Sequence, residues 1–296
     1  MNFLEYKSCL ADTDLWYKAE INPANNLKYY SYVLLYVDDV LCIHHDGEST
    51  IRIIDKYFKM KTGSIGDPDM YLGAKLRKTI LPNRVEAWAT SPSKYVNEAV
   101  KNVESYLAKE YDGRTLKRKA GAPFIREYKP ELDISPELDT IQTQYYQSLI
   151  GVLQWMVEIG RIDMITEVSM MAAHMAMPRE GHLDNIFHMF AYLKIKHNSR
   201  MVFDPSYPTI DMTSFMECDW KHFYKGDIEA IPDNAPEPKG KDVDIRCFVD
   251  ADHAGDTVTR RSRTGFFIFI NMAPVIFHSK KQTIIESAFF GSEIFP

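Results

Sequence analysis

The feature that most constrains the fold is a pair of adjacent carboxylates inside the most apolar stretch near the N-terminus. Asp38 and Asp39 separate two runs, residues 32–37 and 40–43, that are rich in β-branched and aromatic side chains. Two runs of strand length with a two-residue gap are typical of a β-hairpin. The sequence therefore predicts that strand 32–37 pairs with strand 40–43, with Asp38 and Asp39 at the turn.

The aspartate pair has two interpretations, and the local chemistry supports both about equally. Turns tolerate Asp, so Asp38 and Asp39 are consistent with a solvated loop tip. Tight hairpin turns, however, prefer Asn-Gly or Asp-Gly, because their central residues need a positive φ. A divalent cation would remove the repulsion between two adjacent carboxylates, since Mg²⁺ takes carboxylate oxygens together with substrate phosphates.

The composition is that of an ordinary globular chain. The 296 residues suffice for about two domains. No apolar run reaches the roughly 18 residues of a transmembrane helix, and the N-terminus lacks the apolar core of a signal peptide. The four cysteines show no C-x-x-C spacing, which favours free thiols. We therefore expect an intracellular protein, cytoplasmic or nuclear, with no membrane partner.

Charge is unevenly distributed along the chain. The formal net charge is −6, yet residues 94–129 carry nine Lys or Arg against five Asp or Glu. Residues 114–121, RTLKRKAG, contain only basic charges. Such a patch is able to hold phosphates beside an acidic site, but this feature alone favours a solvated charged loop.

Apolar periodicity predicts both helices and strands. Ser91 is a candidate N-cap, with Pro92 at the first helical position. His182, His188 and His197 lack metal-ligand spacing, so packing and surface roles are favoured. The predicted helices are 48–61, 91–111, 144–177 with a break near Gly160 or Asp163, and 180–197. The predicted strands are 70–80, 84–90, 245–255, 263–271 and 273–282.

A second acidic motif lies near the C-terminus. Asp250 and Asp252 follow the apolar Cys247, Phe248 and Val249. Together with Glu293, in a segment that begins to look helical, they suit a carboxylate cluster that grips two metal ions for phosphoryl transfer. Taken alone, the D-A-D pattern favours the end of a surface strand.

Five segments in a fixed order give these motifs a common context. The segments are YVDD (36–39), MYLGAKL (70–76), YYQSLIGVLQWMVEIGRIDM (145–164), FVDADHAGDTVTRRSRTGFFIF (248–269) and HSKKQTIIESAFFGSEI (278–294). Together they resemble the reverse transcriptase and ribonuclease H region of Ty1/copia-type retrotransposon polyproteins, and the resemblance spans nearly the whole chain.

The resemblance implies an α+β fold and an order of functional parts. The implied order is a partial reverse transcriptase palm, a helical thumb or connection-like region, an acidic Pro-containing linker and a truncated ribonuclease H-like β-unit. These correspond to residues 1–90, 91–215, 216–245 and 246–296. The implied activity is RNA-directed DNA polymerisation with hydrolysis of RNA–DNA hybrids. The implied partners are an RNA template, a DNA primer, the RNA–DNA hybrid and the rest of a polyprotein.

The resemblance also assigns candidate site residues. Asp38, with Asp39 beside it, corresponds to the polymerase metal motif, and Asp250 and Glu293 to ribonuclease H carboxylates. The implied cofactor is Mg²⁺ or Mn²⁺ in a two-metal arrangement. Candidate nucleic-acid contacts, taken from the motifs and the basic patch, are Tyr36, Val37, Leu72, Gly73, Arg114, Lys117, Arg118 and Lys119.

This chain departs from the family pattern at both ends. The family carries a third palm Asp upstream of its metal motif, whereas Asp12 and Asp14 resemble a later family segment. We therefore expect the partner Asp, the fingers, the nucleotide pocket and the final ribonuclease H carboxylates to be absent. The expectation is a catalytically incomplete fragment. The alternatives are a non-catalytic nucleic-acid-binding or structural remnant, and an unrelated globular domain with two chance acidic hairpins.

Overall fold

The computed structural model describes residues 1–209, 225 and 230–288. The fold is mixed α+β, in agreement with the class expected from the sequence. The chain forms two compact units, one of Met1–Asp67 with Tyr207–Val243 and one of Pro68–Ser206 with Asp244–Pro296. None of the helices in the described part of the chain has the length and apolarity needed to cross a membrane.

The described residues of the first unit form an antiparallel sheet and one α-helix. Residues of the sheet alternate between a face that packs on the helix and an opposite face. Val33 is fully buried and clusters with Tyr6 and Ile54 of the helix. The elements are β1 (Lys7–Ser8), β2 (Leu15–Ile21), β3 (Lys28–Tyr36), β4 (Asp39–Ile43) and α1 (Gly47–Asp55), and the strand order is β1-β2-β3-β4.

Helix α1 is shorter than the sequence predicted. Asp46 caps its start by accepting a hydrogen bond from the Ser49 amide. The predicted end at residue 61 is wrong, because the chain leaves the helix after Asp55. The Asp55 carboxylate accepts a hydrogen bond from the Met60 amide at 2.7 Å, and this bond stabilises the turn that follows the helix.

In the second unit, residues 68–206 and 244–288 form a four-stranded antiparallel sheet, four α-helices and a three-stranded antiparallel sheet. The first sheet has the order β5-β6-β7-β8, with β5 (Met70–Tyr71), β6 (Ala74–Ile80), β7 (Glu86–Ser91) and β8 (Met201–Phe203). The helices are α2 (Ser93–Glu110), α3 (Thr140–Glu158), α4 (Ile165–Ala172) and α5 (Glu180–Ile195). The last sheet has the order β11-β10-β9, with β9 (Ile245–Ala251), β10 (Arg263–Ile270) and β11 (Ala273–Lys281).

The start of α2 differs from the prediction. Ser91 is the last residue of β7, and its hydroxyl donates to the Ser199 carbonyl at 2.9 Å instead of capping the helix. Pro92 takes the N-cap position, and the helix begins at Ser93. Ser91 was therefore wrongly predicted as the cap, because its hydroxyl is used to hold the neighbouring chain segment.

The core of the second unit is helical. The break predicted near Gly160 or Asp163 is confirmed, since α3 ends at Glu158 and α4 begins at Ile165. Gly160 has a φ of +120°, a conformation that glycine adopts readily. The fully buried side chains of the cluster include Leu107, Tyr146, Ile150, Leu153, Met156, Met171, Ile186 and Phe190.

The three C-terminal strands associate with the helices rather than forming a separate body. The Ser169 hydroxyl in α4 donates to the Ser279 carbonyl at 2.7 Å, and the Arg263 guanidinium donates to the Ser169 hydroxyl at 2.6 Å. Strands β5–β7 likewise group with the helices, whereas the expected segments divided the chain at residues 90 and 245. The functional division into four parts stays a prediction.

The remaining segments have simple structures. Residues 230–243 contain neither helix nor strand. Two hydrogen bonds join this segment to β3: the Tyr30 hydroxyl donates to the Glu237 carbonyl, and the Gly240 amide donates to the Lys28 carbonyl. Residues 282–288 are not helical, and the rest of the segment predicted to begin a helix lies outside the described residues.

Candidate nucleic-acid interface

The turn of the YVDD hairpin lies one residue earlier than predicted. Tyr36 pairs with Asp39, so the two turn residues are Val37 and Asp38 rather than Asp38 and Asp39. Val37 has a φ of +54° and is 96% exposed. A β-branched residue at positive φ is a backbone outlier, and such strain is concentrated at functional sites.

The hairpin presents Tyr36 and Asp39 on the face of the sheet opposite α1. Along β3, Val33 and Leu35 belong to the cluster that contains Ile54 of the helix. Side chains alternate along a strand, so Tyr36 lies on the other face, and its partner Asp39 shares that face. An aromatic ring and a carboxylate therefore stand together at the exposed end of the hairpin.

Asp12 and Asp14 lie at the same end of the sheet as the hairpin turn. The Leu35 amide donates to the Asp14 carbonyl at 3.0 Å, just before β2 begins. The Asp12 carboxylate accepts the Asp14 amide at 3.0 Å and thereby stabilises the local turn. Within residues 1–209, 225 and 230–288, no group of three or more acidic, His or Cys side chains is arranged to hold a metal ion.

Replacing Val37 by glycine is expected to raise the free energy of unfolding by about 1 kcal/mol. The strain of a non-glycine residue at positive φ costs on the order of 1–3 kcal/mol. Glycine relieves that strain but loses more conformational entropy on folding than valine, which offsets part of the gain in stability. Little packing is lost because Val37 is exposed. Urea titration followed by circular dichroism measures the change.

The matched control for Val37→Gly is Val37→Thr, which keeps a β-branched side chain and therefore the strain. We expect this variant to unfold within about 0.5 kcal/mol of the parent. A Val37→Gly protein less stable than the parent would contradict the account of strain at the turn.

Leu72 and Gly73 form a second tight turn. Tyr71 pairs with Ala74, so the two residues are the central residues of the β5–β6 hairpin. Their φ values are +51° and +83°, as a type I′ turn requires. No atom lies within 4 Å of a Cβ built on Gly73, so the turn is open on that side.

The basic loop divides into one paired residue and an exposed triplet. Arg114 forms an ion pair with Asp184 at 2.8 Å and lies over the rings of Tyr111 and Phe187. The flanking residues of the triplet, Leu116 and Ala120, are buried in the helical core. Arg114 is thus engaged in the fold.

The triplet itself is available to a ligand. Lys117, Arg118 and Lys119 are exposed, and no ion pair involves them within the described part of the chain. Buried residues on both sides fix the loop, so the three cations are presented from an anchored segment. This arrangement suits phosphate contacts.

Asp250 and Asp252 have different environments. Asp250 is exposed in β9 and pairs with Gly265 of β10. The Asp252 carboxylate accepts the Arg263 amide, and a Cβ on Gly255 would lie only 2.0 Å from its Oδ2 atom. Asp252 therefore stabilises the β9–β10 loop, whereas the Asp250 side chain forms no hydrogen bond or ion pair with another described residue.

Glu293, the predicted partner of Asp250, lies outside the described residues. The convergence of the Asp250 and Glu293 carboxylates stays a prediction.

His182 of α5 has a structural role. It is buried, its Nδ1 atom accepts the Arg179 amide, and its Nε2 atom hydrogen-bonds the Pro130 carbonyl.

Sequence reasoning missed two charged features of the second unit. One is the fully buried Arg161, which pairs with Asp163 inside the segment YYQSLIGVLQWMVEIGRIDM. The other is a basic groove beside α2, whose cations are Lys75, Arg77, Lys94, Lys101 and Arg200. The sequence signal for the buried pair was a cation and an anion two residues apart within an apolar run. No local sequence pattern indicates the basic groove, because its residues come from separate segments.

The chain has no match among the proteins with which it was compared. Comparison with protein-family models, curated proteins and solved structures gave no match.

Proposed function

We propose that this chain is a nucleic-acid-binding segment of the reverse transcriptase and ribonuclease H type, similar to that of Ty1/copia retrotransposon polyproteins, and that it is catalytically incomplete. In this proposal the first sheet with α1 is a partial palm, the helical region is thumb or connection-like, and β9–β11 are a truncated ribonuclease H-like unit. The five ordered sequence segments support it.

The observation that carries the proposal is the YVDD turn. Its strained Val37 is at the exposed tip of an antiparallel hairpin, and Tyr36 and Asp39 share the face that α1 does not cover. A two-residue hairpin turn needs a positive φ at a central position, and glycine or asparagine adopts it at little cost. A β-branched valine at that position costs more, and retained strain of this kind is concentrated at sites that hold particular side chains in place.

Binding without catalysis is supported by the donor groups at the turn. Mg²⁺ requires near-octahedral coordination, usually from carboxylates and substrate phosphates together. Among the described residues, Asp38 and Asp39 have no third acidic or His side chain arranged with them. Two adjacent exposed carboxylates fit a catalytic two-metal centre poorly, so we derive no chemical step through a metal.

The cationic surface supports the choice of ligand. Lys117, Arg118 and Lys119 are exposed on an anchored loop of a chain whose net charge is −6. Contacts with phosphate supply most sequence-independent binding and weaken steeply with salt. The proposed ligand is an RNA–DNA hybrid or primer–template, bound through its phosphates.

The proposal is tested by two measurements on the purified chain. A labelled RNA–DNA hybrid should bind with a dissociation constant on the order of 10⁻⁶–10⁻⁴ M near physiological salt, and more tightly at low salt. A primer on an RNA template should not be extended with Mg²⁺ or Mn²⁺, because removing one part of a cooperating catalytic set costs nearly as much as removing all of it.

The Asp38→Asn variant is the control for primer extension. Extension by the parent chain that disappears in Asp38→Asn would contradict catalytic incompleteness and make Asp12 and Asp14 the candidate ligands. Absence of hybrid binding at low salt would instead overturn the nucleic-acid assignment and favour an unrelated globular domain.

A further inference from the structure

A groove lies between the β6–β7 pair and the first turns of α2. Its volume is about 860 Å³, within the range of ligand-binding clefts. The sheet contributes Lys75 and Arg77, and the helix contributes Lys94 and Lys101. The groove is wholly within the second unit and shares no residue with the basic loop at residues 114–119.

The groove is strongly positive. Five cations line it, namely Lys75, Arg77, Lys94, Lys101 and Arg200, against the two carboxylates of Asp69 and Glu98. Lys75 is 3.5 Å from Asp69. The other four cations form no ion pair with any described residue. In a chain of net charge −6, so many unpaired cations in one cleft indicate an anionic ligand.

The uncharged lining favours contact with a phosphate backbone. Ser93, Asn97 and Asn198 offer hydroxyl and amide groups, which commonly bind phosphate and sugar oxygens. None of the described residues that line the groove is aromatic, so these residues offer no platform on which bases stack. The expected recognition is therefore independent of base sequence.

The spacing of the cations favours a polymer over a small anion. Lys94 and Lys101 are seven residues apart in α2, which is about 10 Å along the helix axis. Cations spread along one wall in this way suit a ligand with several negative charges better than a single phosphate ion. A strand carries successive phosphates, which suits cations spread along α2 and a further cation, Arg77, on the β6 wall.

We propose that this groove binds the phosphate backbone of a single nucleic-acid strand. The inference rests on the proposed function and adds to it a binding site that the sequence motifs did not indicate. Lys75, Arg77, Lys94, Lys101 and Arg200 provide the charge, and the neighbouring hydroxyl and amide groups provide hydrogen bonds.

The test measures binding of a fluorescein-labelled single-stranded oligonucleotide to the full chain across a salt series. The triple variant Arg77→Gln, Lys101→Gln and Arg200→Gln should bind at least tenfold more weakly at low salt. Each lost phosphate contact lowers the slope of log K against log salt by roughly 0.7 for single strands, so the slope should fall by about 2.

The matched control removes the same charge from exposed positions elsewhere. Lys59, Lys109 and Arg126 have highly exposed side chains, and their triple replacement by Gln should change affinity no more than threefold. Equal loss in the two triple variants would overturn the groove assignment while leaving the proposed function intact. A parent chain that binds the RNA–DNA hybrid but no single-stranded oligonucleotide would overturn the groove assignment alone, and a parent chain that binds neither would overturn both.

A second measurement uses the unmodified chain and does not depend on the folding of a variant. Lysine acylation followed by mass spectrometry should show that the oligonucleotide protects Lys94 and Lys101 but not Lys59. Equal labelling of all three lysines with and without a saturating oligonucleotide would contradict the proposal.

Discussion

The Asp163→Ala variant should unfold with a free energy about 3–5 kcal/mol lower than the parent, since this is the usual cost of leaving a buried charge without its partner. Arg161 is completely buried, and its Nε and Nη2 atoms donate to the two Asp163 oxygens at 2.8 and 2.7 Å. The Tyr192 hydroxyl donates to the same carboxylate at 2.9 Å. Removal of that carboxylate leaves the buried guanidinium of Arg161 without a charged partner.

The pKa of Asp163 reflects this pairing. Burial alone raises the pKa of its carboxyl, but the hydrogen bonds and charge of Arg161 outweigh burial and leave it below the ordinary value. The carboxylate therefore stays ionised in the folded chain, and its contribution to stability is lost only as the pH falls through that lowered pKa.

The order of the variants in free energy of unfolding distinguishes a buried unpaired charge from a simple loss of contacts. Arg161→Met should cost less than Asp163→Ala, because the Asp163 side chain is one-third exposed and water is able to hydrate it. The double variant should be more stable than Asp163→Ala alone, since it leaves no buried charge. Urea denaturation monitored by circular dichroism gives the three values.

Glu104→Ala is the control in the same unit. Glu104 pairs with Lys194 at 2.6 Å, but the lysine side chain is half-exposed, so the loss should be at most about 1 kcal/mol. If Asp163→Ala costs no more than Glu104→Ala, the buried pair is not the stabilising element that its geometry indicates.

Local patterns in the sequence predicted the elements better than their ends. The helix break at Gly160 and the strands around Asp250 follow from periodicity and from residues that permit unusual backbone angles. The hairpin turn was misplaced because turn preferences favour Asp over Val at its central positions. The observed register instead pairs Val33 with Cys42 and Leu35 with Val40, so core residues face each other directly. The predicted hairpin register would place His44 opposite Val33, and pattern rules do not resolve the energetic difference between that pair and the observed Val33–Cys42 pair.

Contacts between residues far apart along the chain could not be predicted from the sequence. The hydroxyl of Ser91 was predicted as a helix cap, but it is occupied by Ser199, which is 108 residues away along the chain. The cations of the groove likewise come from β6, α2 and the segment before β8, and only the fold brings them together.

The second large effect concerns Gly181, which has no room for a side chain. A Cβ at this position would lie 1.9 Å from the Oδ2 atom of Asp133. That carboxylate has little freedom to move, because it accepts hydrogen bonds from the Tyr128 hydroxyl at 2.7 Å and from the Ser135 amide at 2.9 Å. The Gly181 amide itself donates to the Ser135 hydroxyl at 2.8 Å.

We expect Gly181→Ala to lower the free energy of unfolding by about 2–4 kcal/mol, because displacing Asp133 breaks several buried or half-buried hydrogen bonds together. Gly151→Ala is the matched control, since Gly151 lies within α3 and nothing is within 4 Å of its Cβ position. Alanine there should stabilise the helix by about 0.5–1 kcal/mol. The two substitutions are chemically identical and both replace a helical glycine, so opposite signs in urea denaturation would isolate the Asp133 contact. A Gly181→Ala chain as stable as the parent would show that Asp133 and its neighbours move aside at little cost in free energy, which would contradict this prediction.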